Sequence, residues 1–485
     1  MITSEAILTG ISLSEEMNIP LGDPRRTKRV QKIIEAFEKN PEKSFPDIFG
    51  DDSDLEAFYR LIGNPYVSLN ELLVTHQRNT ALRSQTLGKV LVIHDTTEMA
   101  FPLNEGYLRK HLCKISSKRQ GFWAHTSLVV SADGLRAPMG VVGLRPYAHE
   151  KGLQDEEAYR FWGLEYGHME RESDRWLEAV EKAQESLKEV DEVIHVMDRE
   201  GDIYGLMAAM HVKNQRFVIR ASHDRVITGD PSESDTRLFD TLESIPFIAT
   251  RMVDLSARTD GKRPPKERIR FPARGKRSAI LAFRAISIQM PKPQNQPHLK
   301  GLPASIPVNV IEVIEREVPP GQTPVRWLLL TTEPIDTLEN ILLAVDMYRS
   351  RWLIEEFFKA VGTGCGYNNR QLESAQHLLI ALALTVPVAW KLLVLRHLER
   401  QCPEAPAELL LSEPEIYILK HAYPKHRWSP TPTIGEALRA IAKLGGHLKS
   451  NGRPGWLTIS RGYQELWNRV AGWNAAMQMF REQSG

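Results

Sequence analysis

Two short apolar segments, each stopped by an aspartate, constrain this chain most. Lys89 to His94 (KVLVIH) runs directly into Asp95, and Glu192 to Met197 (EVIHVM) runs directly into Asp198. Short runs this rich in Val, Ile and Leu suit strands buried on both faces. Thr126 to Ser131, Arg216 to Arg220 and Arg326 to Leu330 read the same way. A helix beginning at Ser173-Asp174 and running to about Val190 lies between the second and third of these strands. Strands with interposed helices predict an α/β fold with a covered sheet. Residues 222–310 differ, being Pro-rich and basic around a strand-like piece at 278–290, and read as a β-rich insertion. Before residue 68 and after about 376 the pattern is mainly helical.

With 485 residues the chain has room for two to four domains and a large core. Its 42% of Ala, Val, Ile, Leu, Met, aromatic and Cys residues excludes a wholly disordered chain. Cys113, Cys365 and Cys402 are far apart, which indicates neither a disulfide framework nor a structural zinc site and fits a reducing cytoplasm. The first twenty residues carry Glu5, Glu15 and Glu16 and no basic residue, unlike a signal peptide. The longest apolar run, Leu378 to Trp390, is too short for a bilayer and reads as a buried core helix, so no membrane is expected as a partner.

A net charge of +1 argues against a polyanionic partner, but its distribution argues for one. Residues 24–34 carry a net +5 (Arg25, Arg26, Lys28, Arg29, Lys32), residues 106–120 another +5, and residues 258–277 a net +7. Residues 151–192 offset them with −7. Any one block is an ordinary solvated surface, whereas three in separate regions suit a long polyanion held by its phosphates.

An acid at the C-terminal end of a buried strand lies where α/β sheets place ligand sites, although a single such Asp also serves as a cap or turn former. Two on neighbouring strands make a shared cation site, and Mg²⁺ prefers carboxylate oxygens. A third element is the segment Asp336 to Val361, read as one helix opened by an Asp336–Glu339 capping box. At about 100° per residue Tyr348, Arg351, Glu355 and Lys359 share an arc of about 80°. Glu356 lies about 100° from Glu355, which makes Glu355 the acid of that face. Read blandly, the face is a ladder of exposed ion pairs. Read functionally, two Asp and one Glu hold two Mg²⁺ ions about 3.5–4 Å apart on a phosphodiester, with Lys and Arg gripping flanking phosphates.

The motifs around these residues resemble the bacterial DDE cut-and-paste transposases of the insertion-sequence-four family, with its Y-x2-R-x3-E-x6-K signature. Tyr348, Arg351 and Glu355 match its first three positions. DTT at 95–97, DRE at 198–200, LGDPRRT at 21–27, RWLLLT at 326–331 and RAIAKLGG at 439–446 extend the resemblance essentially end to end. It implies a ribonuclease-H-like core at 69–375 with its β-rich insertion at about 222–310. An N-terminal DNA-binding domain at 1–68 and a C-terminal helical dimerisation domain at 376–485 flank it. Asp95, Asp198 and Glu355 are implied as ligands of Mg²⁺, for which Mn²⁺ substitutes. The implied reaction nicks a transposon end, forms and opens a hairpin, and joins the 3′-OH to target DNA. Trp327 matches the aromatic that holds a flipped base, Tyr348 and Arg351 match phosphate contacts around it, and Arg29 and Arg60 match contacts to end DNA. Arg25, Arg26, Arg220 and Lys359 complete the DNA-binding candidates. Gly362 stands where the signature has its Lys, and Lys359 is the candidate to replace it. The implied partners are double-stranded DNA and a second copy of the chain in a bacterial cytoplasm. A weak or inactive DNA-binding regulator and a nuclease that cuts without joining are the other readings.

Overall fold

The computed structural model describes residues 16, 18, 19, 21–104, 106–167, 171, 173–227, 236–255, 273–294, 296–424, 427–448 and 453–484. The chain divides into two compact units, Met1–Val193 with Trp352–Gly485, and Ile194–Arg351.

The first unit opens with α1 (Pro24–Lys39), whose N-cap Asp23 accepts the Arg25 amide. Val30, Ile33, Ile34 and Phe37, at the spacing of one helical face, are buried. They meet α2 (Phe45–Phe49) and α3 (Asp52–Ile62), where the Phe45 and Phe58 rings lie 4.2 Å apart. A Ser68–Glu71 capping box then opens α4 (Leu69–Leu87). The sheet of this unit contains β1 (Lys89–Pro102), β2 (Cys113–Lys114), β3 (Arg119–Ser131) and β4 (Pro138–Tyr147). β3 pairs antiparallel with β1, β2 and β4. Helices α5 (Glu156–Tyr166) and α6 (Asp174–Ser186) follow.

Three local expectations change here. β1 does not stop at His94: its fully buried stretch ends there, but Thr96, Thr97, Met99 and Phe101 sustain pairing with β3 as far as Pro102. β4 was hidden in the sequence by Pro138, Gly140, Gly143 and Pro146, which read as strand breakers. Gly140 is required where it stands, because a Cβ there would lie 2.0 Å from Thr80 Oγ1 on α4. Ser173 precedes α6 without capping it through its side chain, and α6 ends at Ser186, short of Val190.

The second unit carries most of β5 (Glu192–Met197), which runs parallel to β6 (Arg216–Arg220), with α7 (Tyr204–Val212) between them in sequence. After β6 come β7 (Val226–Ile227), β8 (Thr236–Arg237), α8 (Leu238–Ser244), β9 (Ala249–Leu255), β10 (Arg277–Pro291), β11 (Ser305–Arg316) and β12 (Arg326–Thr331). The sheet order in this unit is β5-β6-β12-β11-β10-β9. The insertion is β-rich, as its alternation indicates. Of its basic block, Arg258, Lys262, Arg263, Lys266, Arg268 and Arg270 lie outside the described residues. The unit closes with α9 (Leu338–Arg349).

The helix expected over Asp336 to Val361 is two helices. Thr337, not Asp336, caps α9 by accepting the Asn340 amide. At its other end the Ser350 amide turns back to Met347 O, and the Arg351 amide to Tyr348 O, before α10 (Trp352–Lys359) begins in the first unit. These tight turns break the run of i→i+4 bonds, so the arc computed for one straight helix does not apply across Ser350. A π-helical turn, Ala360–Gly364, follows α10.

The first unit is completed by α11 (Ala375–Gln401), α12 (Glu413–Ala422), α13 (Ile434–Leu444) and α14 (Trp456–Ser484). Among the described residues α11 is the one helix long and apolar enough to cross a membrane, and 94% of its apolar window is buried inside the protein. It is the core helix expected from Leu378 to Trp390. The GG of RAIAKLGG marks a helix crossing: a Cβ on Gly445 would lie 2.0 Å from Thr458 O, and one on Gly462 would lie 1.8 Å from Ile441 O. An antiparallel β1-β3-β4 meander in one unit and a parallel β5-β6 pair in the other have the strand directions of a ribonuclease-H-like core. The fold is α/β with flanking helices.

Candidate catalytic carboxylates and DNA-binding surface

Asp95 sits at the switch in β1 from buried to half-exposed residues, opposite Thr126 of β3. Its Oδ1 accepts the Thr96 amide at 2.8 Å, and the Thr96 hydroxyl meets His125 Nδ1 at 2.8 Å. His125 packs edge-on against Trp176, 4.7 Å between rings. Burial, with Arg175 and Arg145 nearby, pushes the His125 imidazole down to about 3, so it stays neutral beneath Thr96. His94 is buried with Nδ1 3.0 Å from Ser127 Oγ.

Helix α10 packs against β1 and brings Glu355, half-buried, into the same unit as Asp95. Lys359 is engaged by the neighbouring acid, Glu356. Its ammonium donates to Glu356 Oε1 at 2.9 Å and lies 4.6 Å from the centre of the Trp352 ring. Glu356 is buried and also has Arg396 and Arg400 of α11 at 3.8 Å. Burial raises its carboxyl, and Lys359, Arg396 and Arg400 outweigh that and hold it below the usual range. Sequence reasoning set Glu356 aside as off-face; it is the acid that ties the Glu355 helix to the core. At Gly362 a Cβ would lie 2.9 Å from Asn368 Nδ2, so a longer residue there must move that side chain.

In the second unit Asp198 directly follows β5. Its Oδ1 accepts the Glu200 amide at 2.8 Å, capping the turn Arg199–Gly201. The same unit holds Trp327, half-exposed at the start of β12, with its ring 5.8 Å from that of buried Tyr348 in an edge-on arrangement. Two aromatic candidates, 21 residues apart in sequence, thus form one group. Helix α9, which carries Tyr348, is held by a bidentate Arg251–Asp346 pair at 3.0 and 2.8 Å. Arg220 at the end of β6 donates to Arg326 O at 3.2 Å. Arg351 follows the turn that closes α9.

Among the described residues no three His, Cys, Asp or Glu side chains are gathered as a metal cage. The donor chemistry of Asp95, Asp198 and Glu355 is all-carboxylate, and each is partly exposed. Such oxygens fit Mg²⁺ or Mn²⁺ and not a soft metal.

The expected basic surfaces are partly consumed by structure. In the 106–120 block Arg109 donates to Arg370 O and Leu372 O, Lys110 pairs with Glu157, and Arg119 pairs with Glu98; Lys114 and Lys118 are exposed. In the 24–34 block Lys32 pairs with Asp54 at 2.8 Å and Arg29 approaches it at 3.4 Å. Arg60 on α3 is exposed and pairs with Glu56. The first turn of α1 has no acid and carries Arg25 and Arg26, the latter 5.4 Å from the exposed Tyr66 ring. Cations at a helix N-terminus oppose the helix dipole. That cost is reversed when a phosphate binds beside Arg25 and Arg26, whose guanidinium groups meet it while Asp23 holds the first-turn amides.

Residues 13–67 match the family model for a transposase DNA-binding domain. The match supports a transposase that binds DNA. It takes in α1 to α3 with Arg25, Arg26, Arg29 and Arg60. Replacing Arg25 and Arg26 together with Ala is expected to weaken end-DNA binding and to flatten the slope of log K against log salt by about 2. Binding measured by anisotropy from low to high salt checks this; an unchanged slope would remove these two arginines from the phosphate contacts.

Proposed function

We propose that this protein is a DNA transposase of the insertion-sequence-four family, with end-to-end resemblance to the transposase of the kanamycin-resistance composite transposon. It acts by phosphoryl transfer at the ends of a DNA element. The transposase DNA-binding match over residues 13–67, with Arg25 and Arg26 in the first turn of α1, carries the reading. The DTT, DRE and YRSRWLIEE contexts of Asp95, Asp198 and Glu355 extend it from binding to catalysis.

In this reading Asp95, Asp198 and Glu355 hold Mg²⁺. When bound, the cation lowers the pKa of water and neutralises charge developing on phosphate oxygens. The Thr96 and Glu200 amides each fix one oxygen of their aspartate and so leave the carboxylates oriented. Trp327 offers stacking surface to a base drawn from the helix, and Tyr348, Arg351 and Arg220 serve the phosphates beside it. A homodimer is supported by α14, whose residues 471–480 are all exposed and place Trp473, Met477 and Phe480 at helical spacing. The bacterial cytoplasm is its proposed location.

A DNA-binding regulator with little catalysis is the second reading. It is favoured by Gly362 in place of the signature Lys and by the engagement of Lys359 with Glu356. Incubating matched end DNA with supercoiled plasmid and Mg²⁺ separates the readings. A transposase yields end DNA joined to plasmid, a nuclease yields nicked ends only, and a regulator yields a bound complex with neither product.

A further inference from the structure

Asp202 closes the motif Asp198-Arg199-Glu200-Gly201-Asp202, and nothing in the proposed chemistry uses it. It is nonetheless heavily hydrogen-bonded. Its side chain is fully buried, and Oδ2 accepts the Ser222 amide at 2.7 Å, the Ser222 hydroxyl at 3.0 Å and the His223 amide at 3.3 Å. Oδ1 accepts Arg225 Nε at 3.1 Å and also Arg225 Nη2, and that Nη2 donates to Asp202 O at 2.6 Å. Both carboxylate oxygens and the backbone carbonyl are therefore engaged by one short segment, residues 222–225.

That segment is where the β-rich insertion leaves β6. Leu238 at the start of α8 donates its amide to Arg225 O, Phe239 donates its amide to Asp224 Oδ1, and Arg237 donates to Asp224 O. Ala221 in turn donates to Leu328 O of β12. On the other side, Asp202 ends the single turn that Asp198 caps, and that turn is packed tightly: a Cβ on Gly201 would lie 2.7 Å from Met197 Cβ. With Gly201 pressed on β5 and Asp202 clamped by Arg225, the backbone between them has little freedom, and Asp198 lies one turn away.

We propose that Asp202 and Arg225 are positioning residues for Asp198, through which the root of the insertion fixes the orientation of this carboxylate. The proposal rests on Asp198 being a cation ligand. Groups that orient a ligand set cation affinity without touching the cation, and their loss typically weakens binding by about 10–100-fold.

The test is Mn²⁺ binding to the full-length, DNA-free protein, followed by electron paramagnetic resonance, in wild type, Asp198→Asn, Asp202→Asn and Arg225→Lys. Folding is checked by circular dichroism and end-DNA affinity by anisotropy. The expected result is a Kd for Mn²⁺ raised about 10-fold or more by Asp202→Asn and less by Arg225→Lys, with end-DNA affinity unchanged. If wild type binds no Mn²⁺, or Asp198→Asn binds as wild type does, the reading of Asp198 as a ligand fails. If Asp198→Asn weakens binding while the folded Asp202→Asn and Arg225→Lys proteins match wild type, the positioning proposal alone is overturned. Should Asp202→Asn not fold, Arg225→Lys decides: it keeps the charge and loses the two-pronged geometry, and a wild-type Kd in it overturns the proposal.

Discussion

Nicking of matched end DNA in Mg²⁺ is expected to fall at least about a thousandfold in each of Asp95→Asn, Asp198→Asn and Glu355→Gln, while end-DNA binding stays within about twofold of wild type. Each change removes one negative charge and keeps the shape of the side chain. The Asn and Gln carbonyls still accept hydrogen bonds, so the Thr96 and Glu200 amides retain acceptors and the fold is preserved. What is lost is the anionic oxygen that a hard cation requires, worth several kcal/mol of charge stabilisation in phosphoryl transfer. The DNA-binding candidates Arg25, Arg26 and Arg60 lie on α1 and α3, remote in sequence from all three acids, so binding and cleavage separate. A gel assay of nicked strand beside anisotropy of the same samples reads both. Nicking that persists in any one variant removes that residue from the catalytic set.

Glu16→Gln is expected to destabilise the fold by about 3 kcal/mol at pH 7 and by far less near pH 2. Glu16 is 3% exposed and faces two residues of α4. His76 Nδ1 lies 2.6 Å from its carboxylate, and Arg83 pairs with it through its guanidinium. The Val141 amide donates to His76 Nε2 at 3.1 Å, so the imidazole proton is on Nδ1 and points at Glu16. Burial raises the Glu16 carboxyl, and the His76 hydrogen bond together with the charge and hydrogen bond of Arg83 outweigh it, holding it down at about 2. A carboxyl depressed on folding contributes stability that is complete above its unfolded value of about 4.5 and is lost as pH falls toward about 2. His76, depressed by burial, adds to the loss in acid in the same direction. Urea unfolding at pH 7 and pH 3 should show the gap between wild type and Glu16→Gln closing as pH falls; an equal gap at both would exclude the pair. The knot matters to function because Glu16 belongs to the matched DNA-binding region and α4 does not. Trp390 of α11 completes it, with Arg83 4.4 Å from its ring.

Local patterns carried far into this fold. The strands β5 and β6 fall within the sequence limits because each is a short, mainly apolar run bounded by charged residues. Asp198 is legible for the same reason, since the strand ends where burial ends. Asp95 is legible as a boundary in burial but not in strand, because the half-exposed continuation of β1 has strand-forming residues of its own. The role of Asp202 was not legible: an Asp after a Gly reads as a turn residue, and Arg225, which makes it structural, lies 23 positions away.

The sequence by itself determined the apolar runs, the spacing of the acids and the block distribution of charge, because these are local properties of consecutive side chains. Tertiary structure alone decided which neighbouring carboxylate Lys359 would join. Glu356 is buried against α11 with Arg396 and Arg400, and that pull is set by a helix some forty residues away. It decided that the helix presenting Tyr348 and Glu355 breaks at Ser350, and that Gly140, Gly445 and Gly462 lie where backbones nearly touch. Each of these depends on the distance between elements remote in sequence, a quantity that periodicity and propensity do not contain.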